Sequence, residues 1–291
     1  MTRGPDWLSF RRYAAFTAGM ALTLISLGIY TAATGAGLAC AQQWPLCDGG
    51  VLPQSIPSFI EWFHRLWAMI TGIFILGAAV WAWLGRGTVS TRGRYAATLA
   101  TVLTPMQAIF GAITVTLNGA LPGGYSAPVH AAHFLTGFSI FALLSYTTIL
   151  AYDGRFSRDA LSRSRLAVGV GLVGLLLAWV FARIDPVSSY SPPEQAAFFA
   201  VSLSAFAGLL AATRWLGELD ELVPRVATGA AGVLLFVGML LGRDLVVYSA
   251  GVRFVNWLVF AAAVALTAGA AWVLRGVEPD VSEPVYGSTD D

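Results

Sequence analysis

Eight apolar runs of roughly 20 residues or more follow one another along the chain, separated by short segments rich in Gly, Pro and charge. They predict helices at about 13–33, 59–84, 95–117, 128–152, 166–184, 195–216, 226–248 and 252–274. Each run is long enough to cross a hydrocarbon core of ~30 Å as α-helix and too long for the strands of an outer-membrane barrel. The expected fold is an all-α membrane protein with eight transmembrane helices. The first run exceeds the roughly 7–15 residues of a signal-peptide core, and no small-residue cleavage site follows, so it is read as helix 1.

Composition agrees with that reading and narrows the partners. Hydrophobic residues make up 57% of the chain and charged residues 11%, with a mean hydropathy of +0.70, which excludes a water-soluble enzyme and a disordered binder. The net charge of +1 gives no reason to expect nucleic acid. All seventeen basic residues are arginine. Thirteen of them fall at one set of helix ends, while Arg65, Arg183, Arg243 and Arg253 lie at or near the other. The positive-inside bias therefore predicts a multi-pass protein of the cell (plasma) membrane with both termini cytoplasmic and the lipid bilayer as its surround.

The arginine-rich segment Asp153–Arg165 divides the helices four and four, so both halves enter the membrane in the same direction. Register supports a diverged parallel repeat: Arg94 precedes Gly111 by seventeen residues, and Arg225 precedes Gly242 by the same number. Val129–His133 lies over Val252–Asn256 without a gap, and Glu61 and His64 lie over Gln195 and Phe198. The expected organisation is two parallel-repeat four-helix bundles, residues 1–152 and 166–275, joined by a cytoplasmic linker at 153–165. An acidic, Pro- and Ser-containing tail at 276–291, read as disordered, closes the chain.

Candidate chemistry is confined to the first half, which holds all three histidines. Pro57-Ser58-Phe59 reads as a helix start with Ser58 as N-cap, so His64 lies six residues, about 9 Å, inside helix 2. Ser126-Ala127-Pro128 reads as another, with His133 six residues beyond Ala127 in helix 4. Two imidazoles at matched depth in the outer leaflet of a bundle can hold one planar cofactor between axial nitrogens, and haem is the obvious candidate. The alternative is two polar residues satisfied by hydrogen bonds between helices. His130, one turn outside His133, reads as a contact for a haem propionate, an alternative ligand or an interfacial residue.

Glu61 stands one turn above His64, where a carboxylate can meet the edge of a bound group; it also completes a Ser58-x-x-Glu61 capping box. Arg65 can pair with Glu61 or a propionate, or snorkel to the interface. Gln107, midway along helix 3, is a weaker candidate of the same kind. Cys40 and Cys47 share the first outer loop at a spacing that suits neither a zinc knuckle nor a C-x-x-C pair. A small disulfide and two unpaired thiols are the alternatives.

Thr34-Gly35-Ala36-Gly37-Leu38-Ala39-Cys40, Trp44-Pro45-Leu46-Cys47-Asp48-Gly49 and Glu61-Trp62-Phe63-His64-Arg65 with Ala68 together resemble the haem A synthase family of terminal-oxidase assembly enzymes. The Gln107–Gly111 segment and His133 fit as well. The likeness runs motif by motif through helices 1–4 and only in architecture through helices 5–8. It implies oxidation of the C8 methyl of haem O to the formyl group of haem A through hydroxylated intermediates. His64 and His133 are the implied axial ligands of haem iron, with Glu61 as the catalytic group at the reacting edge. Implied partners are the haem O substrate, a haem O synthase, terminal oxidase subunits and an electron donor or acceptor. The chain departs from the pattern where a second histidine pair would hold haem b: those positions are Phe198 and Asn256, so a second haem site is expected to be absent. The family's arginine near the end of helix 1 is Ala32 here. Electrons would then pass through a partner, the cysteine pair or the substrate haem. The rival reading is a non-catalytic haem-binding assembly or electron-transfer subunit. A small-molecule transporter is disfavoured because its polar site belongs near the midplane, between the repeats.

Overall fold

The computed structural model describes residues 9–40, 43–44, 46–85, 87, 89–116, 126–154, 159–184, 189–243, 245 and 247–278. Its helices are α1 (Phe10–Ala33), α2 (Ile56–Leu84), α3 (Thr91–Thr116), α4 (Ala127–Tyr152), α5 (Ala160–Phe181), α6 (Pro192–Leu216), α7 (Leu222–Gly242) and α8 (Ala250–Arg275). All eight are long and apolar enough to span a bilayer. The chain is a multi-pass membrane protein.

Several boundaries differ from the sequence reading by three to six residues, and three of them have a clear local reason. α2 begins at Ile56 because Ser55, not Ser58, is its N-cap: the Ser58 N–H donates to Ser55 Oγ (3.2 Å), and Pro57 occupies the first turn, where no N–H is required. α5 starts at Ala160, inside the segment read as linker, because Asp159 accepts from the Ser162 N–H at 2.6 Å and the following arginines are helical. Hydrogen bonding from Ser162, its hydroxyl first and then its N–H, holds the Asp159 carboxyl below its usual range. α7 stops at Gly242, short of the expected 248; Tyr190 donates its hydroxyl to the Gly242 carbonyl (2.6 Å) and satisfies one of the open C-terminal acceptors. Within the acidic tail only residues 276–278 are described, and there Val277 accepts from Arg165 (2.8 Å). The rest of that tail, 279–291, and positions 155–158 of the expected linker lie outside the described residues.

α1 packs on α2 and α4, and α3 packs on both of those, closing a ring; α5, α6, α7 and α8 form a second cycle of neighbours, and α6 meets α1 and α4. Lipid supplies no hydrophobic drive between helices, so close approach depends on small residues. A Cβ added at Gly174 of α5 would stand 2.7 Å from the Ala205 Cβ of α6, nearer than two side-chain carbons can pack. Among the described residues, the largest fully buried side chains include Phe141 and Leu144 on α4 and Phe198, Phe199 and Phe260 on α6 and α8, with none on α1–α3. The densest core therefore lies in the second half and at its junction with α4. Outward-facing Phe16, Met69, Ile73, Leu99, Val102, Val173 and Leu176 are exposed, as a lipid surround requires.

Candidate functional site

α1 ends in Gly35, whose φ of 72° turns the chain into a short 3₁₀ segment, Ala36–Leu38. That turn delivers Cys40 to the N-terminal end of α2, and Cys40 and Cys47 form a disulfide with both residues fully buried. Ser58, expected as a cap, instead binds this loop: its hydroxyl contacts Asp48 Oδ1 (3.0 Å) and the Ala39 carbonyl (3.3 Å). The capping box predicted at Ser58–Glu61 is therefore not formed. The corresponding motif occurs in the second half, where Ser191 and Glu194 cap α6 reciprocally.

Glu61 is 2% exposed. One of its carboxylate oxygens accepts from the Cys40 N–H at 2.8 Å and the other takes a hydrogen bond from Arg65 Nη2. Arg65 donates through Nη1 to the carbonyls of Gln43 (2.9 Å) and Leu46 (3.0 Å). The guanidinium thus spans the disulfide loop and the carboxylate at once. A buried carboxylate is tolerated when paired and hydrogen-bonded in this way.

His64 on α2 and His133 on α4 lie on helices that each contact both α1 and α3, across the first ring from each other. α2 starting at Ile56 puts His64 eight residues, about 12 Å, into its helix. Both are half-buried, and each is seated against a glycine of a flanking helix. A Cβ at Gly28 of α1 would stand 2.9 Å from His64 Cε1, and one at Gly111 of α3 would stand 3.2 Å from His133 Cε1. Nδ1 of each histidine is buried with no hydrogen-bond partner. Gln107 joins this group: its amide nitrogen lies 3.4 Å from His133 Nε2, and its oxygen is buried without a partner. Simple interhelical hydrogen bonding therefore does not account for the Nδ1 atoms, and buried polar nitrogens left this way are costly unless a ligand or water engages the ring. His130 sits a turn nearer the helix start than His133.

The second half is built differently at the matching positions. Phe198 is fully buried, contacts Tyr190, Phe199 and Phe260, and stands 3.2 Å from where a Gly242 Cβ would be. Asn256 is fully buried and donates to the Tyr248 hydroxyl at 3.2 Å. Ala32 is exposed on the last turn of α1.

Residues 55–282 match the COX15-CtaA family, described as cytochrome oxidase assembly protein. The chain belongs to this family. It is 32% identical over 138 residues to a heme A synthase of Bacillus licheniformis, covering 47% of this chain and 43% of that protein. With a heme A synthase of Geobacillus kaustophilus it shares 32% identity over 166 residues, 56% of this chain and 49% of the relative. A protoheme IX farnesyltransferase of Halobacterium salinarum is 42% identical over 123 residues, 42% of this chain and 26% of that one. The matched segments thus span less than half the length of each of these relatives.

Sequence reading singled out the histidines, Glu61, Arg65, Gln107 and the cysteines, and of the pairings it considered the Cys40–Cys47 disulfide and the Glu61–Arg65 ion pair are formed. It missed Gly28, which sits in an apolar run without distinguishing neighbours, and it placed Arg243 inside an overlong helix. On the haem reading proposed below, Gly28→Ala, which pushes a methyl group into His64, should weaken haem retention roughly tenfold, the scale of overpacking a tight site. Gly111→Ala, with more room, should cost less. Haem titration of the purified variants measures both.

Proposed function

We propose that this chain is a haem A synthase-like oxidoreductase that takes haem O as substrate and oxidises its C8 methyl to a formyl group for terminal oxidase assembly. The observation that carries this reading is the pair His64 and His133, each seated against a glycine with an unpartnered ring nitrogen, beside the Glu61–Arg65 pair. Among the described residues no cluster of three or more His, Cys, Asp or Glu side chains forms a metal cage. Two opposed imidazoles are suited to axial ligation of a metal already carried by a macrocycle. Relatives named for heme A synthesis and for protoheme farnesylation support a haem substrate.

In this reading His64 and His133 bind and orient the tetrapyrrole, whose iron supplies the redox chemistry. Glu61 takes a proton at its carboxylate as the methyl group is oxidised, and Arg65 with the Cys40 N–H keeps that carboxylate in place. The two cycles of helices are read as parallel-repeat bundles, residues 1–152 and 160–275, in the plasma membrane with both termini cytoplasmic. The second half, closed by Phe198 and its aromatic neighbours, is read as a degenerate copy without haem b, so electrons leave through a partner, the disulfide or the substrate itself. Haem O synthase and oxidase subunits are the proposed neighbours in assembly.

Co-expression with a haem O source, followed by chromatography of extracted haems, tests the activity: haem A or a hydroxylated intermediate is expected, and unchanged haem O would favour the non-catalytic haem-binding reading. The orientation is tested with impermeant thiol reagents on intact cells. Cys40 and Cys47 should label only after reduction, and without opening the membrane; labelling that requires an opened membrane would reverse the topology.

A further inference from the structure

We propose that Gln107 makes His133 the exchangeable one of the two axial ligands: its amide receives the His133 ring when that ring leaves the iron, while His64 stays bound. The inference rests on the haem reading above and gives the two histidines different tasks. Iron held by two imidazoles has no free axial position, so a small ligand must displace one of them to bind.

The device is built where α3 meets α4. Gln107 and Gly111 lie one turn apart on α3, and His133 and Gly137 lie one turn apart on α4. Each polar side chain is seated over the glycine of the other helix. A Cβ at Gly111 would stand 3.2 Å from His133 Cε1, and a Cβ at Gly137 would stand 3.0 Å from Gln107 Nε2. The two glycines therefore admit the amide and the ring to the same space between the helices, where Gln107 Nε2 lies 3.4 Å from His133 Nε2. Gln107 Oε1 is buried and makes no hydrogen bond, so the other end of the amide is not tied to the protein.

A ring nitrogen has a single in-plane site, filled either by a metal or by a hydrogen-bond partner and never by both. An amide can occupy that site on a bare nitrogen through its NH2 and on a protonated one through its oxygen. His133 Nε2 therefore has two alternative partners, iron and Gln107. His64 lacks the second: among the described residues its side chain makes no hydrogen bond, and on α1 its ring faces Gly28, which has no side chain to offer. Leaving the iron costs less at His133, where a hydrogen bond replaces part of what is lost, than at His64, where none does.

Carbon monoxide reads this difference, because reduced bis-histidine haem takes it only in place of a departing ring, and the equilibrium is followed by absorption without turnover. The purified full-length protein reconstituted with haem should form a CO complex, and Gln107→Leu should bind CO about fivefold more weakly, the scale of one net hydrogen bond. Gln107→Asn, whose amide falls one carbon short, and Gly137→Ala, whose methyl group displaces the amide, should shift the equilibrium the same way; they carry the test if Gln107→Leu fails to fold. In a His133→Ala background Gln107→Leu should have no effect, since the ring it receives is gone. Unchanged CO binding across the Gln107 and Gly137 variants overturns the proposal, being the result of plain helix packing or of release at His64. Stronger binding also overturns it, because that is the effect of a Gln107 that steadies a His133 fixed on iron. So does an unmodified protein whose reduced spectrum does not change under saturating CO. Failure of the unmodified protein to bind haem with a low-spin spectrum would instead overturn the haem reading on which the proposal stands.

Discussion

Glu61→Gln protein is expected to keep its haem and lose formyl production, with turnover falling by at least ~10²-fold, the range attributed to a single acid–base group. The variant is informative because it changes so little else. Gln is close in size, and its amide oxygen can still accept from the Cys40 N–H that meets the carboxylate at 2.8 Å. What it removes is the negative charge facing Arg65 and the ability to carry a proton. Arg65 would keep its bonds to Gln43 and Leu46, so the loop retains two of its ties. A role limited to fastening the disulfide loop therefore predicts a modest loss of stability and nearly full activity. A proton-carrying role predicts intact haem content with haem O or a hydroxylated intermediate accumulating. Extracted-haem chromatography beside an absorption spectrum separates the two, and wild-type product levels would remove Glu61 from the reaction.

The second large effect is expected at the histidines. His64→Ala and His133→Ala should each abolish the low-spin spectrum, because one axial nitrogen is lost and nothing nearby replaces it. His130 is the only other imidazole, and it lies a full turn from His133. The unmodified protein should bind no more than about one haem per chain, since only one facing histidine pair exists. The positions matching that pair in the second half are Phe198, fully buried among Tyr190, Phe199 and Phe260, and Asn256, bonded to Tyr248. Two tightly held haems per monomer, measured by pyridine haemochrome against protein, would contradict this reading.

Much of the molecule was legible in one dimension. The eight spans follow from the sum of side-chain transfer energies along about 20 residues, a local quantity that neighbouring helices do not alter. His64, His133, Glu61 and the Cys40–Cys47 pair stood out because polar or reactive groups are rare in such runs. Boundaries were less secure. Ser58-x-x-Glu61 matches a capping box, yet Ser55 competes for the same role, and the partner that decides Glu61 is the Cys40 amide, 21 residues away.

Only the tertiary structure decided which faces meet. Lipid and helix interior are equally apolar, so these helices are hydrophobic on every side and no periodicity marks the face turned inward. Gly28 reads like any other glycine in an apolar run until α1 is rotated to set it against His64. Arg243 reads as one more outer-end arginine until α7 stops at Gly242 and carries it to Phe134 and Phe199. Span number and candidate chemistry are properties of the sequence because insertion is additive along the chain. The cradle around the histidines, the grip on Glu61 and the reach of the second half into the first depend on rotations and ends of helices, which contacts between distant residues fix.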